Sequence, residues 1–407
     1  MNFNIKGGGV TSPCGFKASG ISTGLKHSGK KDLALIYSEK ACRCAAVYTK
    51  NIVKGAPLVV TKEHLKNPTA KAVIINSGNA NTCTGKTGLK NAESMCECCG
   101  NIIGIDSEDV LVASTGVIGV QLDIEKISNS IPKLVENLNE NGSKDAATAI
   151  MTTDTISKTA SLCFDINGKK ITIGAMSKGS GMIHPNMATM LAFTTTDADI
   201  SQELLEKALK DSVKVSFNRI SVDRDTSTND MAIIMANGSA SNPLIEDENC
   251  KEYKTFKAAL KFLTVHIAKM MAKDGEGATK LVECKVINSS SEKSAETLAK
   301  SVICSNLVKT AMFGCDANWG RILDALGYSG VNFDVNKLKL SIESSKGSVS
   351  VFENGNPINF SEELAKEVLS EDEILILVDT ADGKYEVSCW GCDLTYDYVK
   401  INGSYRS

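Results

Sequence analysis

Short apolar runs and amphipathic stretches alternate along this chain, and this alternation limits the folds that it can adopt. Residues 72–75 and 110–113 are β-branched or apolar runs that end in Asn/Gly or Ser/Thr/Gly segments. Such runs are typical of buried strands that deliver loops to a functional site. Residues 202–213 and 251–273 instead carry apolar side chains at helical spacing, as core-facing helices do. The pattern predicts a mixed α/β fold.

The last third of the chain has strand and hairpin patterns of its own. Residues 274–277 contain two glycines, which we expect to end the preceding helix. Residues 279–288 then have the pattern of a strand, and residues 338–342 and 348–352 have that of a hairpin. We therefore expect a smaller C-terminal α/β domain that begins near residue 280.

Composition argues against several classes of partner. The 407 residues are 42% hydrophobic, enough for a substantial core, and 45 basic residues face 48 acidic ones for a net charge of -3. Without a long charged run, binding to nucleic acid or to a membrane is not expected. No apolar run approaches the length of about 18 residues that a membrane-spanning helix needs. The first residues lack the pattern of a signal or transit peptide, so we expect a cytoplasmic protein.

The cysteines and histidines do not form a recognisable metal site. Cys96, Cys98 and Cys99 cluster, and Cys389 and Cys392 form one CxxC pair. A structural zinc ion needs two such pairs or nearby histidines, and the four histidines of the chain are scattered. We therefore expect reduced thiols, with no metal and no cofactor.

Residues 178–193 indicate the chemistry. Within them, Thr189 follows the small residue Ala188 in a run of Gly, Pro and Asn. A threonine hydroxyl is a poor nucleophile without a base, and cutting the chain before the threonine frees an α-amine that serves as one. Such an amine has an ordinary pKa of about 7.7–8.0. We interpret Thr189 as a nucleophile that is made by self-cleavage of the Ala188–Thr189 bond.

Other motifs in the chain are incomplete. Residues 24–31 and 80–87 nearly match a phosphate-binding loop, but the first has lysine where Ser or Thr belongs, and the second lacks the first glycine. We interpret both as turns. No Gly-x-Ser-x-Gly elbow supports a Ser-His-Asp triad. His184, five residues before Thr189, is either a structural residue in a tight turn or a group that orients the scissile loop.

Several segments, in the right order, resemble the ornithine acetyltransferase family (glutamate N-acetyltransferase) of arginine biosynthesis. Besides residues 178–193, these are residues 76–81, 216–230, 313–322 and 402–407. The resemblance extends over essentially the whole chain, and the number of long motifs makes it specific.

The resemblance implies a ping-pong enzyme that moves the acetyl group of N2-acetylornithine to glutamate through an acetyl-Thr189 intermediate. Whether acetyl-CoA is a further donor stays open. No metal or organic cofactor is implied, and the two chains produced by cleavage would assemble as α2β2. The implied fold is a layered αββα-like sandwich that resembles N-terminal nucleophile hydrolases.

The resemblance also implies which residues form the site. Thr115 and Gly116 would form the oxyanion hole. A substrate with a carboxylate and an ammonium group needs both a cation and an anion in its site. The implied substrate-binding residues are Thr153, Lys178, Thr189, Glu276, Asn402 and Ser407. Which end of ornithine meets Lys178 and which meets Glu276 stays open. The family commonly has Gly in place of Arg224, to which we assign no role.

Together, the pattern and the resemblance divide the chain. Residues 1–279 would form the catalytic region, residues 280–401 the smaller C-terminal domain, and residues 402–407 a tail that returns to the active site. Self-cleavage would produce an α chain of residues 1–188 and a β chain of residues 189–407.

Two other functions compete with acetyl transfer. An aminopeptidase or amidase of the same wider architecture would use Thr189 in the same way but pass the acyl group to water. A binding or scaffold protein would keep the fold without any activity. Turnover that depends on glutamate would favour the transferase, and a chain that stays uncut under all conditions would favour the scaffold.

Overall fold

The computed structural model describes residues 3–26, 28–184 and 190–404. The chain forms two compact units, and each is made from three segments. The first unit is formed within Met1–Gly179, Pro185–Asn218 and Asp225–Ala268, and the second within Ser180–His184, Arg219–Arg224 and Lys269–Ser407.

The predicted start of a C-terminal domain near residue 280 lies inside the second unit, which also includes two short segments from the middle of the chain. The functional division into residues 1–279, 280–401 and 402–407 stays a prediction.

A single sheet of eight strands runs through the described part of the first unit. The strands are β1 (Phe16–Ile21), β2 (Leu33–Tyr48), β3 (Thr69–Asn79), β4 (Val110–Val117), β5 (Lys158–Ile166), β6 (Lys169–Lys178), β7 (Leu191–Thr196) and β8 (Met231–Ala236). Their order is β4-β3-β2-β8-β7-β6-β5, and β1 pairs with β2 outside this path. The pairs β3/β4 and β7/β8 are parallel, and the other pairs are antiparallel.

The long strand β2 explains why β1 leaves the main order. Its register with β3 shifts between Tyr37 and Cys42, so the strand has two halves. The first half pairs with β1 and the second with β8. The predicted strands at residues 72–75 and 110–113 are confirmed: the first lies within β3, and the second forms the first half of β4.

Helices cover both faces of this sheet. They are α1 (Ala56–His64), α2 (Gly85–Ile103), α3 (Ile124–Glu136), α4 (Ser143–Ile150), α5 (Gln202–Val215) and α6 (Lys251–Lys273), which ends in the second unit. In β4, Val110 and Val112 pack with residues of α2 and α3, whereas Leu111 and Ala113 pack with residues of α4. Successive side chains of a strand point to opposite faces of the sheet. Because helices cover both faces here, every residue of the run is buried, and the run has no polar residue.

The predicted helices are confirmed. Helix α5 begins where the side chain of Ser201 accepts the backbone N–H of Leu204, and its apolar stripe is buried. Helix α6 has the bounds that the pattern predicted, Lys251–Lys273.

The described part of the second unit contains a second sheet. Its strands are β9 (Leu281–Ser289), β10 (Lys339–Ser344), β11 (Gly347–Glu353), β12 (Asn356–Pro357), β13 (Glu373–Asp379) and β14 (Tyr385–Cys392), in the order β12-β11-β10-β13-β9-β14. Its helices are α7 (Glu292–Cys304), α8 (Asn306–Phe313), α9 (Trp319–Gly327), α10 (Glu362–Leu369) and α11 (Tyr396–Gly403). The strands β10 and β11 form the predicted hairpin.

The predicted mixed α/β fold class is confirmed. Among the described residues, no helix combines the length and the apolar character that crossing a membrane requires. All 14 cysteines lie within the described ranges and are free thiols.

Candidate active site

The predicted oxyanion residues lie where the parallel strands β3 and β4 end. Ser77 is opposite Thr115, and Gly78 is opposite Gly116, with a register irregularity at Asn79. Gly116 has a φ of 135°, and a Cβ added there would lie 2.3 Å from the carbonyl carbon of Gly78. Only glycine fits such a close approach of two backbones. Glycine at position 116 is therefore a structural requirement of this strand end.

Buried side-chain amides stabilise the same strand end. The Nδ2 of Asn229 donates to the carbonyl oxygens of Ala80 (2.6 Å) and Ser114 (2.9 Å). The hydroxyl of Ser114 donates to Asn76 Oδ1 at 2.5 Å. Each buried carbonyl left without a donor would cost about 1–3 kcal/mol. Sequence reasoning assigned no role to Asn229, although residues 216–230, which include it, were among the segments that carried the resemblance.

Lys178 is buried at the end of β6, and its Nζ donates to Thr115 Oγ1 at 3.5 Å. Two of the predicted site residues are therefore close to each other. A buried lysine is unusual, because removing its charge from water is costly unless partners compensate. Lys178 is therefore not a solvated surface residue.

Asp154 provides compensating negative charge near Lys178. Its Oδ1 accepts the backbone N–H of Gly179 (2.7 Å) and the Nζ of Lys158 (2.6 Å), and the side chains of Lys158 and Asp154 are fully buried. Burial alone would raise the pKa of Asp154, but the positive charges of Lys178 and Lys158 outweigh it and lower the pKa to about 2. Asp154 is therefore a carboxylate at neutral pH.

Thr153, another predicted substrate-binding residue, lies directly before Asp154 in a loop that is held at several points. The backbone N–H of Thr152 donates to Asp154 Oδ2 at 3.0 Å, and Lys26 Nζ donates to the carbonyl oxygen of Met151 at 2.7 Å. Burial, helped by the nearby charge of Lys178 and opposed by that of Asp32, lowers the pKa of Lys26 to about 8. The loop that carries Thr153 is therefore fixed on both sides of this residue.

In the second unit, Glu276 and Asn402 are brought together. Asn402 Nδ2 donates to Glu276 Oε2 at 2.8 Å, and the backbone N–H of Glu276 donates to the carbonyl oxygen of Ser180. A Cβ added at Gly181 would lie 2.2 Å from the carboxyl carbon of Glu276. Glycine at position 181 is what allows this buried carboxyl to approach the chain.

The residues before the predicted cleavage site are held by a pairing within the second unit. Asp223 accepts the backbone N–H groups of Met182 (2.6 Å) and Ile183 (2.8 Å). The Nδ1 of His184 lies 3.0 Å from the Oγ of Ser221. His184 therefore has a structural hydrogen bond, which agrees with the first of the two interpretations left open for it.

Three of the predicted site residues, Ala188, Thr189 and Ser407, lie outside the described residues. Directly after Thr189, the carbonyl oxygen of Met190 accepts the backbone N–H of Met231 at 3.0 Å. The strands β7 and β8 pair from the next residue onward. Among the described residues, no group of three or more His, Cys, Asp or Glu side chains could hold a metal ion.

Comparison with known proteins identifies the family. Residues 17–407 match the ArgJ family. The arginine biosynthesis bifunctional protein ArgJ of Caldanaerobacter subterraneus subsp. tengcongensis is 53% identical over 403 residues, which cover 99% of this chain and 100% of that protein.

Two solved structures are also similar in sequence. The arginine biosynthesis bifunctional protein argJ of Bacillus halodurans is 42% identical over 47% of this chain and 100% of that chain, with a TM-score of 0.44. The ornithine acetyltransferase of Mycobacterium tuberculosis, complexed with ornithine, is 36% identical over 46% of this chain and 100% of that chain, with a TM-score of 0.43. The near-full-length match in sequence confirms the predicted resemblance, and this chain belongs to the ArgJ family.

Proposed function

We propose that this protein is a self-processing acetyltransferase of arginine biosynthesis, which moves the acetyl group of N2-acetylornithine to glutamate. The buried ammonium group of Lys178, donating to Thr115 beside Gly116, is the observation that supports this function most strongly. It holds a cation beside the Thr115 hydroxyl, and groups of these kinds can stabilise a developing oxyanion. Membership of the ArgJ family, whose members are named for arginine biosynthesis, supports the same function.

Self-cleavage would make the nucleophile. The Oγ of Thr189 attacks the carbonyl carbon of Ala188, the C–N bond between the two residues breaks, and the acyl group moves from nitrogen to oxygen. The hydroxyl gives up one proton, and the leaving nitrogen gains one to become an amine. Water then hydrolyses the ester, which leaves a carboxylate at Ala188 and both a hydroxyl and an α-amine at Thr189.

Acetyl transfer would follow in two half-reactions. With its α-amine as base, Thr189 attacks the acetyl carbonyl of acetylornithine, the amide bond breaks, and ornithine leaves with the proton from the hydroxyl. The amine of glutamate then attacks the acetyl ester, the bond from the acetyl carbon to Thr189 Oγ breaks, and the proton that the amine loses returns to that oxygen as N-acetylglutamate leaves. In both half-reactions Thr115 and Gly116 would stabilise the negative charge on the carbonyl oxygen.

Substrate recognition would use the charged groups among the predicted site residues. The ammonium of Lys178 suits a substrate carboxylate, and the carboxylate of Glu276 suits a substrate ammonium group. Asn402, which already donates to Glu276, would orient that carboxylate. Thr153 and Ser407 would supply further hydroxyl groups to the substrate.

The proposal also covers how the cleaved chains assemble and where the protein is located. The α and β chains would remain associated as α2β2 in the cytoplasm. Because the relative from Caldanaerobacter subterraneus is named a bifunctional protein, a second activity is also proposed, with acetyl-CoA as a direct acetyl donor to glutamate.

Mass spectrometry under denaturing conditions tests the proposal first. We expect two chains, the second with the N-terminal sequence Thr-Met-Leu-Ala-Phe. Thr189→Ala should stay one inactive chain of 407 residues, because it lacks the hydroxyl, and Thr189→Ser should still cut, because the hydroxyl remains. Normal cleavage of Thr189→Ala would contradict the mechanism.

The acceptor distinguishes the transferase from its rivals. Beyond one ornithine per active site, continued turnover of acetylornithine should require glutamate, and N-acetylglutamate should then form in equal amount to ornithine. Release at the same rate without glutamate, with acetate as product, would instead identify an amidase. A wild-type chain that stays uncut and inactive would favour the scaffold function.

A further inference from the structure

Asp230 is a buried carboxyl that the proposed mechanism does not yet use. It lies directly before β8, and its relative exposure is only 4%. Its carboxyl accepts hydrogen bonds from the backbone N–H of Met190 and from the side chain of Ser227. Met190 is the first described residue after Thr189, so Asp230 contacts the chain one residue beyond the proposed nucleophile.

One oxygen of this carboxyl has no hydrogen-bond partner in the part of the chain that the structure describes. Asp230 Oδ2 is buried and makes no hydrogen bond to any described residue. Buried polar atoms are nearly always paired, because each unpaired one costs about 1–3 kcal/mol. Asp230 Oδ2 is the one carboxyl oxygen among the unpaired buried side-chain atoms of the described residues, and it lies on a side chain that contacts Met190. When a carboxyl is protonated, it carries an O–H that can donate.

The surroundings favour the protonated form. Burial raises the pKa of Asp230 well above its ordinary value, and the positive charge of Lys178 opposes this shift without cancelling it. On the adjacent strand, Tyr48 lies opposite Met231 in the register, and burial raises its pKa as well, so it stays neutral. The other groups that act on the Asp230 carboxyl, the N–H of Met190 and the Ser227 side chain, are neutral donors.

We propose that Asp230 is the proton donor of self-cleavage, the acid that protonates the amine of Thr189 as the 188–189 bond breaks. This inference rests on the proposed function. By holding the N–H of Met190, Asp230 is fixed one residue from that amine, and covalent geometry keeps consecutive backbone nitrogens within about 4 Å. The unpartnered oxygen is the atom that would carry the proton.

The proton balance closes without another reactant. As the C–N bond breaks, the O–H of Asp230 transfers its proton to the leaving nitrogen, and the carboxylate that forms is stabilised by the charge of Lys178. The proton lost by the hydroxyl of Thr189 then restores the acid. The net change is the transfer of the acyl group from nitrogen to oxygen, with no proton consumed.

Asp197 is a matched control, because it is a buried aspartate just beyond the other end of β7. Burial raises its pKa too. Its Oδ1 accepts the N–H of Thr172 (2.8 Å) and its Oδ2 that of Cys14 (3.2 Å), so both of its oxygens are paired. Asp197→Asn therefore removes a buried carboxyl from the same sheet without touching Met190.

Pulse-chase synthesis of the full-length chain tests the inference, with the fraction of uncut chain followed from pH 5 to pH 9. Asp230→Asn keeps an oxygen to accept the N–H of Met190 but has no proton to give, so cleavage should slow by about 100-fold or more. Asp197→Asn should cleave at close to the wild-type rate. The wild-type rate should fall as the pH rises and Asp230 loses its proton, and Asp230→Asn should lack that fall.

Three outcomes would overturn the inference. One is an Asp230→Asn chain that cleaves at close to the wild-type rate. Another is an equal slowing in Asp197→Asn. The third is an uncut Asp230→Asn chain that unfolds at a much lower urea concentration than uncut Thr189→Ala, because its defect would then lie in folding. A wild-type chain that never cleaves would instead contradict the proposed function itself.

Discussion

Asp154 and Asp230 are two aspartates of the first unit that feel the charge of the same lysine, Lys178, yet their acidities shift in opposite directions. The pKa of Asp154 is lowered to about 2, whereas the pKa of Asp230 is raised well above its ordinary value. Burial raises both, so burial cannot account for the difference. The partners of each carboxyl must account for it.

The partners differ in charge. Asp154 pairs with Lys158 at 2.6 Å and also accepts the N–H of Gly179, so its negative charge is compensated within hydrogen-bond distance. Asp230 has only neutral donors, and one of its oxygens has no partner among the described residues. In this protein, nearby positive charge keeps the buried Asp154 ionised, whereas the neutral donors around Asp230 do not outweigh its burial. Under the proposed function, the ionised Asp154 compensates the charge of Lys178, whereas Asp230 keeps a proton that it can donate.

Lys158→Met should have the largest effect, because it leaves the buried Asp154 carboxylate without its direct ion-pair partner. Removing one member of a buried pair costs about 3–5 kcal/mol, so the free energy of unfolding in urea near neutral pH should fall by about that amount. The double variant Asp154→Asn/Lys158→Met should recover most of the loss, since neither charge remains. A stable Lys158→Met single variant would show that Lys178 alone compensates Asp154.

Local patterns in the sequence predicted the strands and helices around these residues. Residues 110–113 were predicted as a strand from an apolar run, and the bounds of α6 followed from its helical stripe. Both signals lie within one element, where spacing alone fixes the side chains that face the core. The fold class could therefore be predicted before the structure was known.

The charged network could not be predicted in this way. Asn229 contacts Ser114 across 115 positions of sequence, and nothing local to either residue indicates this hydrogen bond. Whether Asp154 or Asp230 is ionised depends on burial and on partners from other strands, which only the folded chain brings together. The resemblance identified Lys178 and Thr115 without showing that they contact each other.

The backbone at Arg224 is a further feature that the sequence alone could not show. Its φ is 70°, in the left-handed region that glycine adopts at the least cost. The glycine that the resemblance implied at this position would suit that backbone, whereas arginine adopts it under strain. The sequence showed the departure, and the backbone dihedral angle supplies its physical meaning.

Lowering the pH should reduce the contribution of Asp154 to the stability of the folded protein. The pKa of this carboxyl is about 2 in the folded protein and about 3.9 in the unfolded chain. As the pH falls from about 4 to about 2, the unfolded chain binds the proton first, so stability is lost across this window, by about 2 kcal/mol. Asp154→Asn should lack this part of the loss. Urea unfolding of both proteins between pH 5 and pH 2 measures it, and a constant difference between them would contradict the assignment.

Asp230→Asn should have the smallest effect on stability, and its pH dependence should have the opposite sign. Because the pKa of Asp230 is raised on folding, its stabilisation is present below about pH 4 and is lost as the pH rises through the folded-state value. Asparagine does not titrate and keeps an acceptor for the N–H of Met190, so the variant should stay within about 1 kcal/mol of the wild type near neutral pH. Relative to the wild type, it should gain stability from pH 4 to pH 8 in urea unfolding. A variant that instead loses about 3 kcal/mol or more near pH 7 would mean that Asp230 is ionised and compensated there, as Asp154 is.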